Sequence, residues 1–343
     1  MPRHSRMPIA PEFPDMELLY AYQEWAYAET FRISRSAKTN SELFVVYLRD
    51  GQFIGRGECG LLPQYGQDRD DVASALDTAR DLVAGGVTHL DIAAQVQNTS
   101  ARNALDCALW YIECKKAGQS IWTKTGLPQV DSIEVDITIG INSLDKMRID
   151  ALAATSKGYR ILKIKADRSD VLEKVETIAE ACPGVQLIVD ANEAWDISTL
   201  NEVAPRLEQL GVCLIEQPLH HKADGALKDY KANIPLCADE SCSSIDDLPR
   251  LSELYQAINI KLDKVGGLTP GLELNRAARQ RDLKVMLGCS GPTSLGAAPA
   301  FVLASLCDFV DLDGPALLLE DRSPAMRYSD GRLYCFSPAL WGG

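Results

Sequence analysis

Eight short apolar runs, evenly spaced through the second half of the chain, constrain its fold more than any other feature. They are SIEVDITI, ILKIKA, VQLIVDA, VCLIEQP, IPLCADE, AINIKLD, LKVMLGC and DFVDLD, with helical stretches between them. Alternation of strand and helix builds a parallel sheet. Polar residues recur where the runs end, at regular steps: 25 residues from Lys165 to Asp190, 26 to Glu216, 23 to Asp239, 22 to Lys261, 28 to Cys289 and 22 to Asp311. Each step suits one strand plus one helix, slightly under the roughly 31 residues per unit of an eight-unit barrel. Eight units favour closure, and in closed barrels the C-terminal strand ends carry the chemistry. The alternative is an open, doubly wound sheet whose polar strand ends cap helices. Five ionisable residues on five successive strands, with no polar residue spent mid-strand, weigh against it.

The first half has a different texture. Residues 16–66 read as strands, and ELFVVYLRDGQFIGRGEC holds two β runs joined by Asp50-Gly51, a hairpin signal. Residues 69–118 read as helices. NTSARNALDCALWYIECKKAG offers Ser100 as a cap, apolar spacing through Ala104, Leu105, Ala108, Leu109 and Ile112, and Gly118 as a stop. The expected division is a loose, Pro-rich tail over 1–15, an α+β capping domain over 16–128, a (β/α) barrel over 129–314, and a segment over 315–343. That last segment contains GRLYCFS, a short strand expected to return to the first domain. A chain of 343 residues is long enough for both domains.

Charge narrows the partners. Forty-eight acidic against 35 basic side chains give a net charge of −13, which offers nothing to offset the repulsion of nucleic-acid or lipid phosphates. No apolar run reaches the length of a membrane span. The opening MPRHSRMPIAPEFPDM lacks the apolar core of a signal peptide. Ten cysteines, with no Cys-x-x-Cys and mostly apolar neighbours, read as buried free thiols in a reducing compartment, hence the cytoplasm.

The strand ends suggest a reaction. Asp190, Glu216 and Asp239 close strands three, four and five of the barrel and therefore converge. Three carboxylates brought together repel one another unless a cation joins them. All-oxygen ligands without histidine or cysteine suit Mg²⁺ or Mn²⁺ rather than zinc, and the four histidines do not help a zinc site. Singly, each acid reads as a helix cap or a surface ion pair; together they read as a metal site. Lys163 and Lys165 end strand two in GYRILKIKAD, and Lys261 ends strand six, across the barrel. Adjacent ammonium groups disfavour each other, so Lys165 is expected to have a lowered pKa and to act as a base, with Lys163 tuning it and gripping a substrate oxygen. Two bases on opposite faces of a metal-held carboxylate remove a proton on one side of the α-carbon and return one on the other. That chemistry is racemisation or epimerisation.

KIK, DANEAW, EQP, ADES and NIKLDKVGG, in this order and spacing, resemble the enolase superfamily, muconate-lactonising subgroup, over nearly the whole chain. The resemblance implies an α+β capping domain on a modified TIM barrel. It implies Asp190, Glu216 and Asp239 as ligands of one Mg²⁺, and Lys165 with Lys261 as the acid/base pair. Several reactions share that machinery. DFVDLDGP, with Asp311 and Asp313 one residue apart, resembles the Asp-x-Asp with which dipeptide epimerases hold a free α-ammonium. The implied activity is inversion at the C-terminal residue of a dipeptide, L-Ala-D/L-Glu first. An N-acyl amino acid racemase or succinylbenzoate synthase of the same subgroup is the enzymatic alternative, and a silent binding protein the remote one. The same resemblance places Thr138, Lys163 and Cys289 along the substrate, with Cys289 as a core thiol and GCSGPTSLG as a phosphate loop as the alternatives. A basic residue on a mobile cap loop is expected to bind a distal carboxylate; FRISRSAKT offers Arg32, Arg35 and Lys38, with Arg35 preferred. The implied partner is a small dipeptide, with neither nucleic acid nor membrane, and homo-oligomers are common among such proteins.

Overall fold

The computed structural model describes residues 16–343. The segment read as a loose tail, with His4, lies outside the described residues. The described chain begins with three antiparallel strands, β1 (Glu17–Ile33), β2 (Ser36–Asp50) and β3 (Phe53–Gly60). The Asp50-Gly51 hairpin joins β2 to β3. A second hairpin, turning at Ser34-Arg35, joins β1 to β2, so the segment read as a loop is the tip of a long β-ribbon.

Helices α1 (Arg69–Ala84), α2 (His89–Gln95) and α3 (Thr99–Ala117) follow. Asp68 and Thr88 start the first two with reciprocal capping boxes. Asn98, rather than Ser100, caps α3: its side chain accepts from the Ala101 N–H, and Ser100 lies buried inside the helix. Gly118 ends α3 in the left-handed conformation, as its position suggests. Two glycines set how closely α3 meets the sheet. A methyl at Gly55 would overlap the Ala108 carbonyl, and one at Gly57 the Ala104 carbonyl. Helix α4 (Ile121–Thr125) leads out of this region.

The run SIEVDITI, expected as one barrel strand, divides in two. Strand β4 (Ser132–Glu134) leaves the barrel, and β5 (Ile137–Ile139) enters it. The break falls at Val135-Asp136. The barrel continues as β5, α5 (Leu144–Ser156), β6 (Ile161–Lys165), α6 (Val171–Ala181), β7 (Gln186–Asp190), α7 (Ile197–Gln209), β8 (Val212–Glu216) and β9 (Leu236–Ala238). After α8 (Leu248–Leu251) come β10 (Ala257–Lys261), α9 (Leu262–Val265), α10 (Leu268–Arg279), β11 (Lys284–Gly288), α11 (Ser294–Ala304) and β12 (Phe309–Val310). β5 to β12 form one parallel sheet in sequence order. At its seam the Asp136 N–H donates to the Val310 carbonyl at 3.1 Å, and the Thr138 N–H to Asp313 Oδ2 at 2.7 Å.

Strand β13 (Tyr328–Ser329) pairs with β14 (Arg332–Tyr334), and β14 with β4, not with the first sheet. The last residues pack on the helical layer instead: the Trp341 indole donates to the Cys107 carbonyl, and the Ile121 N–H to the Gly342 carbonyl. All ten cysteines are unpaired thiols, buried or half-buried. Among the described residues no helix is long and apolar enough to cross a membrane.

Candidate active site

Side chains alternate along each strand, so the barrel interior fills in layers. Register puts Lys165, Asp190 and Glu216 side by side at the ends of β6, β7 and β8. Asp239 follows β9, Lys261 ends β10, Cys289 follows β11 and Asp311 follows β12. One layer below lie Lys163, Ile188, Leu214, Cys237, Asn259 and Met286. The lower layer is thus mostly apolar.

In that upper layer each acid meets a cation. Lys165 Nζ lies 2.5 Å from Asp190 Oδ2, Lys261 Nζ 2.7 Å from Asp239 Oδ2, and Lys264 Nζ 2.7 Å from Asp239 Oδ1. Burial raises a carboxyl's pKa, but Lys165 and Lys163 outweigh it at Asp190 and hold that group below the usual range. Lys261 and Lys264 do the same for Asp239, more strongly. Glu216 goes the other way, pushed up to about 7 by burial and by the charge of Asp190. Its Oε1 accepts from the Asn259 amide at 2.7 Å, while Oε2 lies 2.7 Å from Lys163 Nζ, an ion pair without hydrogen-bond geometry. Gly288 gives the β10 side chains their room: a methyl there would press on the Asn259 amide and the Lys261 stem. The oxygens of Asp190, Glu216 and Asp239 do not form one of the groups of three that come within 4.8 Å of one another among the described residues; each acid has a lysine ammonium beside it.

Lys163 differs from the expectation. It is 1% exposed and lies one layer down, out of the cavity wall. Its Nζ is 2.6 Å from Asp311, 2.7 Å from Glu216 and 3.2 Å from Asp190. Burial opposes its charge, yet these carboxylates hold its pKa well above the ordinary value. Lys163 is therefore held by the carboxylates around it rather than presented to a substrate.

Above the charged layer is a cavity of about 290 Å³, near the small end of ligand pockets. Lys165 and Lys261 both line it, from strands four places apart in an order of eight. Thr138, Cys289, Asp311 and Asp313 line one side. Burial pushes the Cys289 thiol up, which disfavours the thiolate a nucleophile needs. Asp313 is pushed up to about 6 by burial and by Asp311 beside it. The β1–β2 hairpin overhangs the cavity. Arg35 and Lys38 line it, and Arg32 does not. Arg35 Nη1 lies 2.6 Å from Glu240 Oε1 and 3.5 Å from Glu193 Oε2.

Several residues of this site escape a reading of strand ends. Asn259 is polar mid-strand, contrary to expectation; its amide donates to Glu216, while its own oxygen has no hydrogen-bond partner. Lys264 lies beyond the strand, yet a single helical turn carries its ammonium back to Asp239. Gln217, in EQP, adopts a φ of 33°; its Oε1 accepts from the Asp239 and Ser241 N–H groups, tying β8 to the end of β9. Asp136 is a buried acid that no run end announced. His220 and His221 come together with Glu193 in a separate, partly exposed group.

Comparison with known proteins gives two family matches. Residues 16–126 match the mandelate racemase / muconate lactonizing enzyme N-terminal domain, and residues 146–332 an enolase C-terminal domain-like model. The L-Ala-D/L-Glu epimerase of Escherichia coli K12 is 34% identical over 320 residues, 93% of this chain and all of that protein. An N-acetyl-D-glutamate racemase of a Pseudoalteromonas species is 42% identical over 244 residues, 71% of this chain and 76% of that protein. Among solved structures, an enolase family member from Agrobacterium tumefaciens with bound sodium and L-Ala-L-Glu superimposes with a TM-score of 0.92 at 36% identity, covering 95% of this chain and 100% of that one. A dipeptide epimerase from Cytophaga hutchinsonii, complexed with Mg and D-Ala-L-Val, gives 0.85 at 25% identity over 93% and 92% of the two chains.

Proposed function

Because the chain belongs to the mandelate racemase / muconate lactonizing enzyme family, with an enolase-like barrel, we propose that it is a Mg²⁺-dependent dipeptide epimerase acting on L-Ala-D/L-Glu. The observation that carries the reading is the pair Lys165 and Lys261, facing one cavity from opposite sides of a barrel whose intervening strands end in acids. Lys165 takes the α-proton from one face and Lys261 returns one to the other, or the reverse for the opposite enantiomer. Each lysine already has a carboxylate beside it that holds it in place.

Asp190, Glu216 and Asp239 would hold the metal. They fit a hard cation: all three are buried carboxylates, and Glu216 Oε2 has no hydrogen-bond partner. Bound there, Mg²⁺ supplies positive charge against the charge that builds on the substrate carboxylate as the α-proton leaves. Arg35 faces the distal carboxylate of the Glu side chain, and Asp311 with Asp313 the α-ammonium. Unpaired thiols suit work in the cytoplasm, with peptides released from cell-wall turnover as the source of substrate.

Racemisation of N-acetylglutamate is the second reading, supported by the Pseudoalteromonas relative. Both readings share glutamate as the reacting residue. The buried acids at one end of the cavity favour a substrate with a cationic end. The deciding experiment incubates the protein with Mg²⁺ in D₂O with pooled L,L-dipeptides and with N-acetyl-L-Glu. A one-dalton gain in L-Ala-L-Glu is expected, lost on chelation with EDTA and restored by Mg²⁺. Gain in N-acetyl-L-Glu alone would replace the first reading with the second, and gain that survives thorough chelation would remove the metal.

A further inference from the structure

One buried carboxyl has no place in the scheme so far. Asp136 lies just ahead of β5 at the barrel seam, two residues before Thr138, where its N–H donates to the Val310 carbonyl. It is 1% exposed, and apart from the neighbouring Asp311 carboxyl neither of its oxygens has a hydrogen-bond partner. A buried carboxyl left so is costly, and natural folds seldom keep one without a use. An oxygen of Asp136 lies within 4.8 Å of oxygens from both Asp311 and Asp313, and all three residues are buried.

The neighbours are spoken for. Lys163 Nζ is 2.6 Å from Asp311 and balances its charge. Asp313 Oδ2 accepts from the Thr138 N–H at 2.7 Å. The charged and titratable groups that face Asp136 are Lys163, Asp311, Asp313 and the Tyr159 hydroxyl. Lys163 is the single cation among them and is already shared by Asp311, Glu216 and Asp190. With Asp136 ionised the group of three acids and one lysine carries a net −2; without it, −1. One acid's worth of charge therefore decides how strongly this end of the cavity attracts a cation.

We infer that Asp136 is a positioning residue for the amine end of the substrate, lying behind Asp311 and Asp313 and supplying the negative charge that a primary ammonium group meets once Lys163 has balanced Asp311. It acts through the two acids that line the cavity, since it does not line the cavity itself. The inference rests on the dipeptide reading and deepens it: Asp136 sets the preference for a free amine over an acylated one. Burial and the two neighbouring acids push its own carboxyl well above the usual range, so it holds a proton while the site is empty and releases it to solvent, taking up its charge, when an ammonium group arrives.

The test uses the full-length enzyme with Mg²⁺ and two substrates that share the glutamate, L-Ala-L-Glu and N-acetyl-L-Glu. KM is read for each, or the inhibition constant where there is no turnover. Asp136→Asn is expected to lower the preference for the dipeptide over the acetylated compound by about tenfold, which is about 1.4 kcal/mol. A structural role alone would weaken both compounds alike, so an unchanged ratio overturns the inference and leaves the dipeptide reading standing. Wild-type enzyme that turns over no dipeptide sinks that reading, and the inference with it. If Asp136→Asn loses its cooperative melting transition, Asp136→Ser carries the same comparison with the same two outcomes.

Discussion

At the scale of single residues, the site divides its lysines by layer. Lys165 and Lys261 reach the cavity, whereas Lys163, two residues back on the same face, is spent on three carboxylates beneath it. Lys165→Ala or Lys261→Ala should therefore abolish epimerisation, a loss of at least about a thousandfold in kcat if each acts as general base on its own face. A single variant that still inverts the α-carbon, followed by optical rotation, would end the two-base scheme. Asp313→Asn should raise KM for L-Ala-L-Glu by about tenfold or more and spare N-acetyl-L-Glu; equal losses on both would remove Asp313 from amine binding. The strand-end residues were legible because five ionisable side chains recur at one step length, and a step length is visible in sequence. Asn259, Lys264, Gln217 and Asp136 were not. Each does its work through a contact across strands or around a turn, and such contacts have no period to detect.

At the scale of elements, the close approach of α3 to β3 is the most restrictive packing in the capping layer. Gly57→Val should destabilise the fold by about 3 kcal/mol, at the upper end for overpacking, because the Ala104 backbone cannot yield without moving the helix. Urea denaturation would show it, and an unchanged midpoint would mean that α3 can shift. Strand–helix alternation made the barrel legible, since its apolar runs are separated by near-constant intervals. The division of SIEVDITI was not legible. Its alternation suits a single strand, and only the pairing of β4 with β14, far along the chain, draws its first half away. The hairpin tip at Ser34-Arg35 was hidden for a related reason. Its residues are polar and carry no turn signal as plain as Asp50-Gly51, and its place is set by Arg35 meeting Glu240 and Ser34 meeting the Asn192 carbonyl.

At the scale of the whole molecule, the helical layer is pinned to the barrel by buried polar groups. His89 Nδ1 lies 2.6 Å from Asp106 and 3.2 Å from the hydroxyl of Thr269 on α10. Burial works against its charge, but Asp106 and Glu113 outweigh it and push His89 up to about 9. Its folded pKa exceeds the unfolded 6.5, so its contribution is complete below pH 6.5 and is lost as pH rises through 9. Stability should fall by about 3 kcal/mol over that window, and the fall should be absent in His89→Gln; melting curves that keep the same slope in the variant would deny the assignment. The seam between β5 and β12 has a different consequence. There the cylinder is welded by a single bond between backbones and by Asp313, whose carboxylate takes the place of a neighbouring strand's carbonyl. That carboxylate faces the cavity as well. A guest that drew it inward would slacken the Thr138 bond and loosen the wall; a guest that left it alone would keep the staves tight. How firmly a ligand is gripped and how stiffly the barrel is hooped are two readings of one hydrogen bond.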